Sequence, residues 1–316
     1  MNMFSKYTLV LIGLTFMGSA GLQAQQEQMY THYDFNSMAL NPAYAGSKRT
    51  LVATGLSRVQ WANYPGAPRY QNFGIHSPLV GDFAVGLNVQ SGTIGKFEVA
   101  SPVSETQIGA NLAYHKQLDK DLRLAVGLRL GAYNYKFQLS QLRLNNPTDV
   151  AFQNNDYSIT APMTGFGIYL YSSKAFAAFS APRMVFIPQD VRQNQNVAYA
   201  AELHYYLSGG MVFDMNDRVK LKPTTQIKIV NGVPVQADLN LHAIFDDVFS
   251  LGAFYRTQGD IGLMSMVQLN DQFNFVYSYD SKLSPLNEYV RGSHEFGLQF
   301  MIPYTSNHRV LVPRYF

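Results

Sequence analysis

The sequence of 316 residues contains no cysteine, and this absence excludes several classes of protein. It excludes a disulfide scaffold, thiolate chemistry and a zinc–thiolate site. Charged residues make up only 14% of the chain, below the roughly 25% of a typical soluble domain. Low charge argues against disorder, which requires charge without hydrophobicity. The formal net charge of +3 is too small to indicate a nucleic-acid-binding protein.

No stretch after residue 25 is apolar for long enough to predict a transmembrane helix. The first 24 residues instead predict a cleaved secretory signal peptide, because Lys6 is the only charge and an apolar core follows at residues 7–17. The small residues that follow predict cleavage after Ala24, with cleavage after Ala20 as an alternative. An apolar run this short favours a signal peptide over an uncleaved membrane anchor, so we expect an exported protein.

Apolar and polar residues alternate with a period of two along most of the mature chain. In the clearest run, Leu122, Leu124, Val126, Leu128 and Leu130 alternate with Arg123, Ala125, Gly127, Arg129 and Gly131. Runs of about 9 to 13 residues match strands that cross a bilayer at a tilt, whereas strands of soluble proteins are usually shorter. The face of each strand that carries the polar residues is too polar for a protein core. The pattern therefore favours an all-β, antiparallel, outer-membrane β-barrel over a soluble β-sandwich.

The pattern predicts about fourteen strands, at residues 51–62, 69–77, 82–91, 104–117, 121–137, 159–172, 174–180, 197–215, 217–230, 233–245, 248–257, 260–270, 272–280 and 291–302. The short run 174–180 leaves twelve strands as an alternative. If the first strand runs outward from the periplasm, the short turns face the periplasm. The long connections 92–103, 138–158, 181–196 and 281–290 then face outward, as in bacterial outer-membrane barrels.

The chain is therefore divided into a signal peptide (1–24), a periplasmic N-terminal segment (25–50), an outer-membrane barrel (51–302) and a periplasmic C-terminal tail (303–316). Either Phe300 or Phe316 is the aromatic residue that serves as the insertion signal. Pro303 follows the first candidate closely, and Pro313 stands just before the second.

Signatures of catalysis are missing from the sequence. There is no G-x-S-x-G, H-E-x-x-H or Walker motif, and the seven histidines show no metal-ligand spacing. Histidines facing the lumen are the favoured interpretation over metal ligands. We expect no enzyme, no metal and no cofactor, although distant Ser and His residues could still assemble a barrel hydrolase.

The segment before the first strand carries the most specific motif, Asn41-Pro42-Ala43-Tyr44-Ala45-Gly46-Ser47, a turn-rich and rigid stretch. The motifs that follow in order are Arg58-Val59-Gln60-Trp61, Gly66-Ala67-Pro68, His76-Ser77-Pro78 and Gly292-Ser293-His294-Glu295. Together they resemble the PorP/SprF family of the type IX secretion system, from about Gln28 to the C-terminus.

This resemblance implies a non-enzymatic outer-membrane barrel that serves protein secretion or gliding motility. PorP-like members are associated with periplasmic ring and peptidoglycan-linked components. SprF-like members hold the C-terminal secretion domain of a secreted adhesin at the cell surface. The residues leave both roles open, and a general porin or small-solute channel is the alternative function.

Two groups of residues are candidates for partner binding. Asn41, Pro42, Tyr44 and Gly46 are predicted at an inner face for the secretion machinery. The outer loops present Phe152, Phe186, Ile187 and Tyr289 to a secreted adhesin, as apolar anchors in a polar frame. A third group, Arg58, Arg123 and Arg129, is predicted to line the lumen. The remaining expected partner is the lipid of the outer membrane, and nucleic acid is not expected.

Overall fold

The computed structural model describes residues 28–95, 102–138, 156–187, 203–257, 259–284, 288–302 and 315–316. The predicted signal peptide lies outside these residues. Before the first strand come a one-turn α-helix, α1 (Ser37–Leu40), and a 3₁₀ helix (Pro42–Tyr44). No helix in the described part of the chain is long and apolar enough to cross a membrane. The strands are β1 (Leu51–Val59), β2 (Arg69–Pro78), β3 (Phe83–Ile94), β4 (Val103–Gln117), β5 (Arg123–Phe137), β6 (Tyr157–Tyr171), β7 (Ala175–Val185), β8 (His204–Met211), β9 (Phe213–Asp214), β10 (Val219–Val230), β11 (Gln236–Phe245), β12 (Phe249–Arg256), β13 (Asp260–Gln268), β14 (Phe273–Lys282) and β15 (Ser293–Ile302).

The strands form one closed antiparallel barrel. Each strand pairs with its neighbour in sequence, except that β8 and β9 both pair with β10, and β1 pairs with β15 from Leu51↔Ile302 to Val59↔His294. Strands β8 and β9 are two parts of one wall position, because both pair with β10 on either side of a break at Val212. The described wall therefore has fourteen positions, which confirms the predicted count over the alternative of twelve.

The two faces of the wall have opposite polarity. Outward-facing leucines are well exposed, for example Leu128 at 60% and Leu130 at 69%, while Arg129 between them is 1% exposed. Asn88 and Gln90 on β3 are buried on the inner face. This arrangement confirms a transmembrane barrel with lipid outside and polar groups inside.

Connections differ in length between the two ends of the barrel. At one end, the short-turn end, the connections are residues 79–82, 118–122, 172–174, 215–218, 246–248 and 269–272. The other end, the long-connection end, carries residues 60–68, 95–102, 138–156, 186–203, 231–235, 257–259 and 283–292.

Strands β4, β5 and β6 extend the wall at the long-connection end. Each has 15 residues, about 50 Å of extended chain. Near this end their outward residues become polar, namely Ser104, Thr106, Asn134, Lys136, Ser158 and Thr160. Apart from Glu105, the inward residues at this height are apolar or aromatic, so the pattern is inverted above the lipid-facing band.

Strand β7 is longer than predicted. The sequence pattern predicted residues 174–180, yet the strand continues to Val185. A β-bulge shifts its register with β6 between Thr164 and Phe166. Gly165 allows this irregularity, since a Cβ there would lie 2.3 Å from the carbonyl oxygen of Pro182.

Candidate functional site: the filled lumen

Residues 28–50, called the internal segment here, pass through the lumen from one end of the barrel to the other. Gln28 contacts Glu105 near the long-connection end, and Thr50 contacts Ile302 at the short-turn end. Almost every residue between them is buried. This position differs from the periplasmic location predicted for residues 25–50. The difference arises because the inner wall supplies polar partners along the whole path of the segment, which the sequence pattern does not reveal.

The first anchor of the internal segment is Glu295 on β15. Its carboxylate accepts hydrogen bonds from the backbone N–H groups of Thr31 (2.9 Å) and His32 (2.8 Å). Arg58 on β1 lies 2.7 Å from Asp280 and 3.5 Å from Glu295, and it donates a 3.0 Å hydrogen bond to the Thr31 hydroxyl. Because these groups are buried, the two carboxylates neutralise Arg58 while Glu295 fixes the backbone of the segment.

The second anchor is an ion pair between Asp34 and Lys222 on β10, with 2.6 Å between Oδ2 and Nζ. Tyr33 beside it donates a 3.0 Å hydrogen bond to the Thr224 hydroxyl. One of the two charges of this anchor, Asp34, thus comes from the internal segment itself.

Wall side chains also hold the carbonyl groups at the end of α1. Arg129 donates to the carbonyls of Met38 (2.5 Å) and Ala39 (3.0 Å). Ser180 donates a 2.6 Å hydrogen bond to the carbonyl of Leu40. These contacts satisfy carbonyls that a one-turn helix leaves without intrahelical partners.

The Asn41–Ser47 motif packs closely against the wall. The Asn41 side chain accepts from the Ala43 N–H (2.9 Å), which caps the 3₁₀ helix, and donates to the carbonyl of Ile168 (3.0 Å). Gly127 of β5 permits the approach, since a Cβ there would lie 2.3 Å from the nitrogen of Ala43. At the end of the motif, Gly46 adopts a φ of +80°, which favours glycine.

Histidines of the wall complete the contacts of this motif. His76 accepts from the Gly46 N–H (3.0 Å), and its ring meets the edge of the Tyr44 ring at 5.7 Å. His115 lies 2.7 Å from the carbonyl oxygen of Ala45. Thus His76, Arg58 and Glu295, which belong to three motifs far apart in sequence, all contact the internal segment.

A group of side chains around Glu105 contacts the start of the internal segment near the long-connection end. The Glu105 carboxylate accepts from Gln28 (2.9 Å) and Tyr133 (2.8 Å), and Arg183 lies 3.6 Å away. The Arg183 guanidinium also stacks over the Tyr133 ring at 4.9 Å. Hydrogen bonds and a cation–π contact therefore hold the start of the internal segment against the wall.

Comparison with protein families decides what kind of barrel this is. The family of type IX secretion system membrane proteins PorP/SprF matches residues 22–300. The chain belongs to this family. It is an outer-membrane β-barrel component of the type IX secretion system, as its motifs had indicated. No curated protein matches the chain significantly.

The chain is also similar to solved structures of other proteins. The Pseudomonas putida toluene transporter TodX has 8% identity and a TM-score of 0.48, with 85% of this chain and 94% of that chain covered. A Pseudomonas aeruginosa FadL homologue has 11% identity and a TM-score of 0.43, with 83% and 93% covered. The KdgM porin has 9% identity and a TM-score of 0.36, with 80% and 99% covered.

The predicted site residues of this family member lie in three different places. Asn41, Pro42, Tyr44 and Gly46 are buried inside the barrel, so they form no exposed inner face for a partner. Phe186 and Tyr289 are 59% and 75% exposed at the long-connection end, and Ile187 is half-buried there. Phe152 lies outside the described residues.

The three predicted lumen arginines also have different positions. Arg58 and Arg129 are buried and contact the internal segment. Arg123 lies at the rim of the short-turn end and donates a 3.0 Å hydrogen bond to Gln117. Among the described residues, no group of three or more His, Asp or Glu side chains could hold a metal ion.

Part of the predicted C-terminal tail also enters the barrel. The ring of Phe316 is buried 4.6 Å from the ring of Phe176, and the carbonyl of Tyr315 accepts a 3.0 Å hydrogen bond from Lys222. Phe300 instead faces outward on β15, 4.8 Å from the ring of Phe273. Residues 303–314 between them lie outside the described part of the chain.

Sequence reasoning missed Asp34 and Lys222 as functional residues. Lys222 does occupy an inward position of a predicted strand, which was a usable signal for a lumen residue. For Asp34 there was no such signal, because its partner is 188 residues away and no periodic pattern surrounds it.

Proposed function

We propose that this protein is a non-enzymatic docking barrel that holds the C-terminal secretion domain of a secreted adhesin at its long-connection end and contacts periplasmic ring or peptidoglycan-linked components at its short-turn end. The observation that carries the proposal is the filled lumen. With the internal segment inside the barrel, the two ends are the surfaces available to partners, and the segment occupies lumen space that the porin alternative would need for solutes.

The long-connection end offers a surface suited to an apolar partner. Its inner wall carries the side chains of an aromatic shelf, Val103, Tyr135, Phe137, Tyr157 and Ile159, which are half-buried. In the ladder, Phe137 stands between Val103 and Tyr157, and Tyr135 pairs with Ile159. Aromatic anchors inside a polar frame are typical of protein-binding surfaces.

The outer side of the same wall is polar, which supports a location above the lipid. Lys136 and Asn134 face outward at this height, and Asn134 donates a 2.8 Å hydrogen bond to Thr160. An apolar inner face above the lipid-facing band has no contact with lipid. A protein ligand is therefore the better explanation for the aromatic shelf.

The short-turn end is the proposed periplasmic surface, because short turns face the periplasm in outer-membrane barrels. Its turn between β2 and β3 exposes Leu79 (60%) and Val80 (76%). These side chains replace the buried Asn41–Ser47 motif as the proposed contact for the secretion machinery.

Replacing Phe137 by Ser tests the outer surface. We expect about 2 kcal/mol of partner binding to be lost, roughly thirtyfold in affinity, since aromatic anchors dominate binding energy. Surface retention of the adhesin, measured with antibody on intact cells, should fall accordingly. The matched control is Lys136→Ser, one residue away on the opposite face, which should retain the adhesin.

Heat-modifiable gel migration would verify that both variants are inserted and folded. If cells with an inserted Phe137→Ser barrel retain the adhesin as well as the unmodified protein does, the aromatic shelf is not the docking surface.

A further inference from the structure

Four polar side chains form a buried patch on the inner wall of β10 and β11. Lys222 pairs with His242 across the ladder, and Thr224 pairs with Asn240 two residues farther along. All four are at most 5% exposed. We call Lys222, Thr224, Asn240 and His242 the lumenal patch.

The chain itself places a carboxylate on this patch. Asp34 of the internal segment lies 2.6 Å from Lys222 through Oδ2, while Oδ1 accepts a 3.1 Å hydrogen bond from the Phe35 N–H. Lys222 also donates to the carbonyl of Tyr315 at 3.0 Å. The patch therefore contacts both the internal segment and the end of the chain.

The patch has more hydrogen-bonding capacity than Asp34 uses. Both ring nitrogens of His242 and the amide nitrogen of Asn240 have no hydrogen-bond partner among the described residues. A buried polar group left in this state costs about 1–3 kcal/mol, so the arrangement is costly unless a ligand can use it. An ammonium with neighbouring N–H donors matches an anion with two oxygens.

Another buried carboxylate in the lumen shows the contrast. Asp238 accepts two hydrogen bonds of 2.9 Å from Arg256, one on each oxygen. That planar, two-point pairing leaves little freedom for exchange. Lys222 instead holds Asp34 as a point charge on one oxygen, which makes the occupant replaceable.

We propose that the lumenal patch is a carboxylate-binding site, occupied in the intact protein by Asp34, which accepts a free carboxylate when that side chain is removed. The site secures the middle of the internal segment to the wall. This role concerns the inside of the barrel, so it stands independently of partner docking at either end.

Chemical rescue tests the site. The full-length Asp34→Ala protein should refold in detergent with a lower unfolding temperature than the unmodified protein, because Lys222 loses its counter-charge. Adding sodium acetate during refolding should reverse most of the decrease in unfolding temperature, whereas sodium chloride at the same ionic strength should not. Acetate is chosen because it is a small anion that carries the same carboxylate group as the Asp34 side chain.

Two control variants separate specific rescue from a general salt effect. Asp34→Asn removes the charge but keeps the space filled, so acetate should not rescue it. The double variant Asp34→Ala with Lys222→Met lacks the ammonium and should not respond either. If Asp34→Ala gains no stability from acetate beyond that from chloride, or if the double variant responds equally, the lumenal patch is not a carboxylate site.

Discussion

At the scale of single residues, small side chains decide whether the internal segment fits the lumen. Gly127 lies against backbone atoms of the segment, with a would-be Cβ 2.3 Å from the nitrogen and 2.5 Å from the Cα of Ala43. Backbone cannot rotate away as a side chain can. By contrast, a Cβ at Gly55 would meet nothing within 4 Å.

The substitution Gly127→Ala should therefore destabilise the barrel by about 1–3 kcal/mol, the usual cost of overpacking. The measurement is the temperature at which the folded gel band disappears. Gly55→Ala is the matched control, since it adds the same methyl group to a strand and should leave that temperature unchanged. Equal temperatures for the two variants would mean that the segment does not press against Gly127.

At single residues, the sequence predicted the local backbone structure correctly. It did not predict which parts of the folded protein surround those residues. The Asn41–Ser47 stretch reads as a rigid turn because its proline and glycine restrict the backbone, and it forms a capped 3₁₀ helix. A turn motif carries no information about what encloses it. The pairing of its glycine with His76 depends on tertiary structure alone.

At the scale of elements, alternation predicted the strands well because side chains on a strand alternate between two chemically different environments. All fourteen predicted strands correspond to wall positions, although their ends differ and the predicted strand 197–215 is broken at Val212. Strand β7 was underestimated because a bulge accommodates Pro182, and a bulge leaves no periodic signal. Strand β5 shows how closely the pattern follows the lipid, since it is apolar outside at Leu128 and polar outside at Asn134.

Replacing Leu128 by Arg should cost about 2–4 kcal/mol if this residue faces the middle of the bilayer. Asn134→Arg on the same face of the same strand should cost little, because that position is already polar. Refolding of both variants into lipid vesicles across a urea series gives the free energies of unfolding. Similar losses for the two variants would place the lipid boundary elsewhere on β5.

At the scale of the whole molecule, the barrel was predictable because nearly every strand pairs with its neighbour in sequence. The internal segment was not predictable, because its anchors Glu295 and Lys222 lie on strands distant in sequence. Polar residues facing inward are expected for an aqueous channel and for an occupied lumen alike. Sequence pattern alone cannot distinguish these two cases.

The intact protein should show no steady large conductance in a planar lipid bilayer, because the internal segment occupies the lumen. A variant lacking residues 28–40 should conduct if it remains folded by heat-modifiable migration. In the full-length chain, cysteines in place of Asn41 and Gly167 would link the internal segment to β6 by a disulfide. The positions are close enough, since a Cβ on Gly167 would lie 2.8 Å from the Cγ of Asn41. A steady large channel in the intact protein would favour the porin alternative.

The path of the internal segment sets a constraint on how the barrel is assembled. The segment enters β1 at the short-turn end, and β1 pairs with β15 to complete the wall. Tyr30, Tyr33, Phe35 and Tyr44 would have to be threaded lengthwise if the wall were finished first. Wrapping the sheet around a segment already in position avoids that passage. We therefore expect the β1–β15 seam to form last, with Glu295 and Arg58 on its two sides meeting over the enclosed chain.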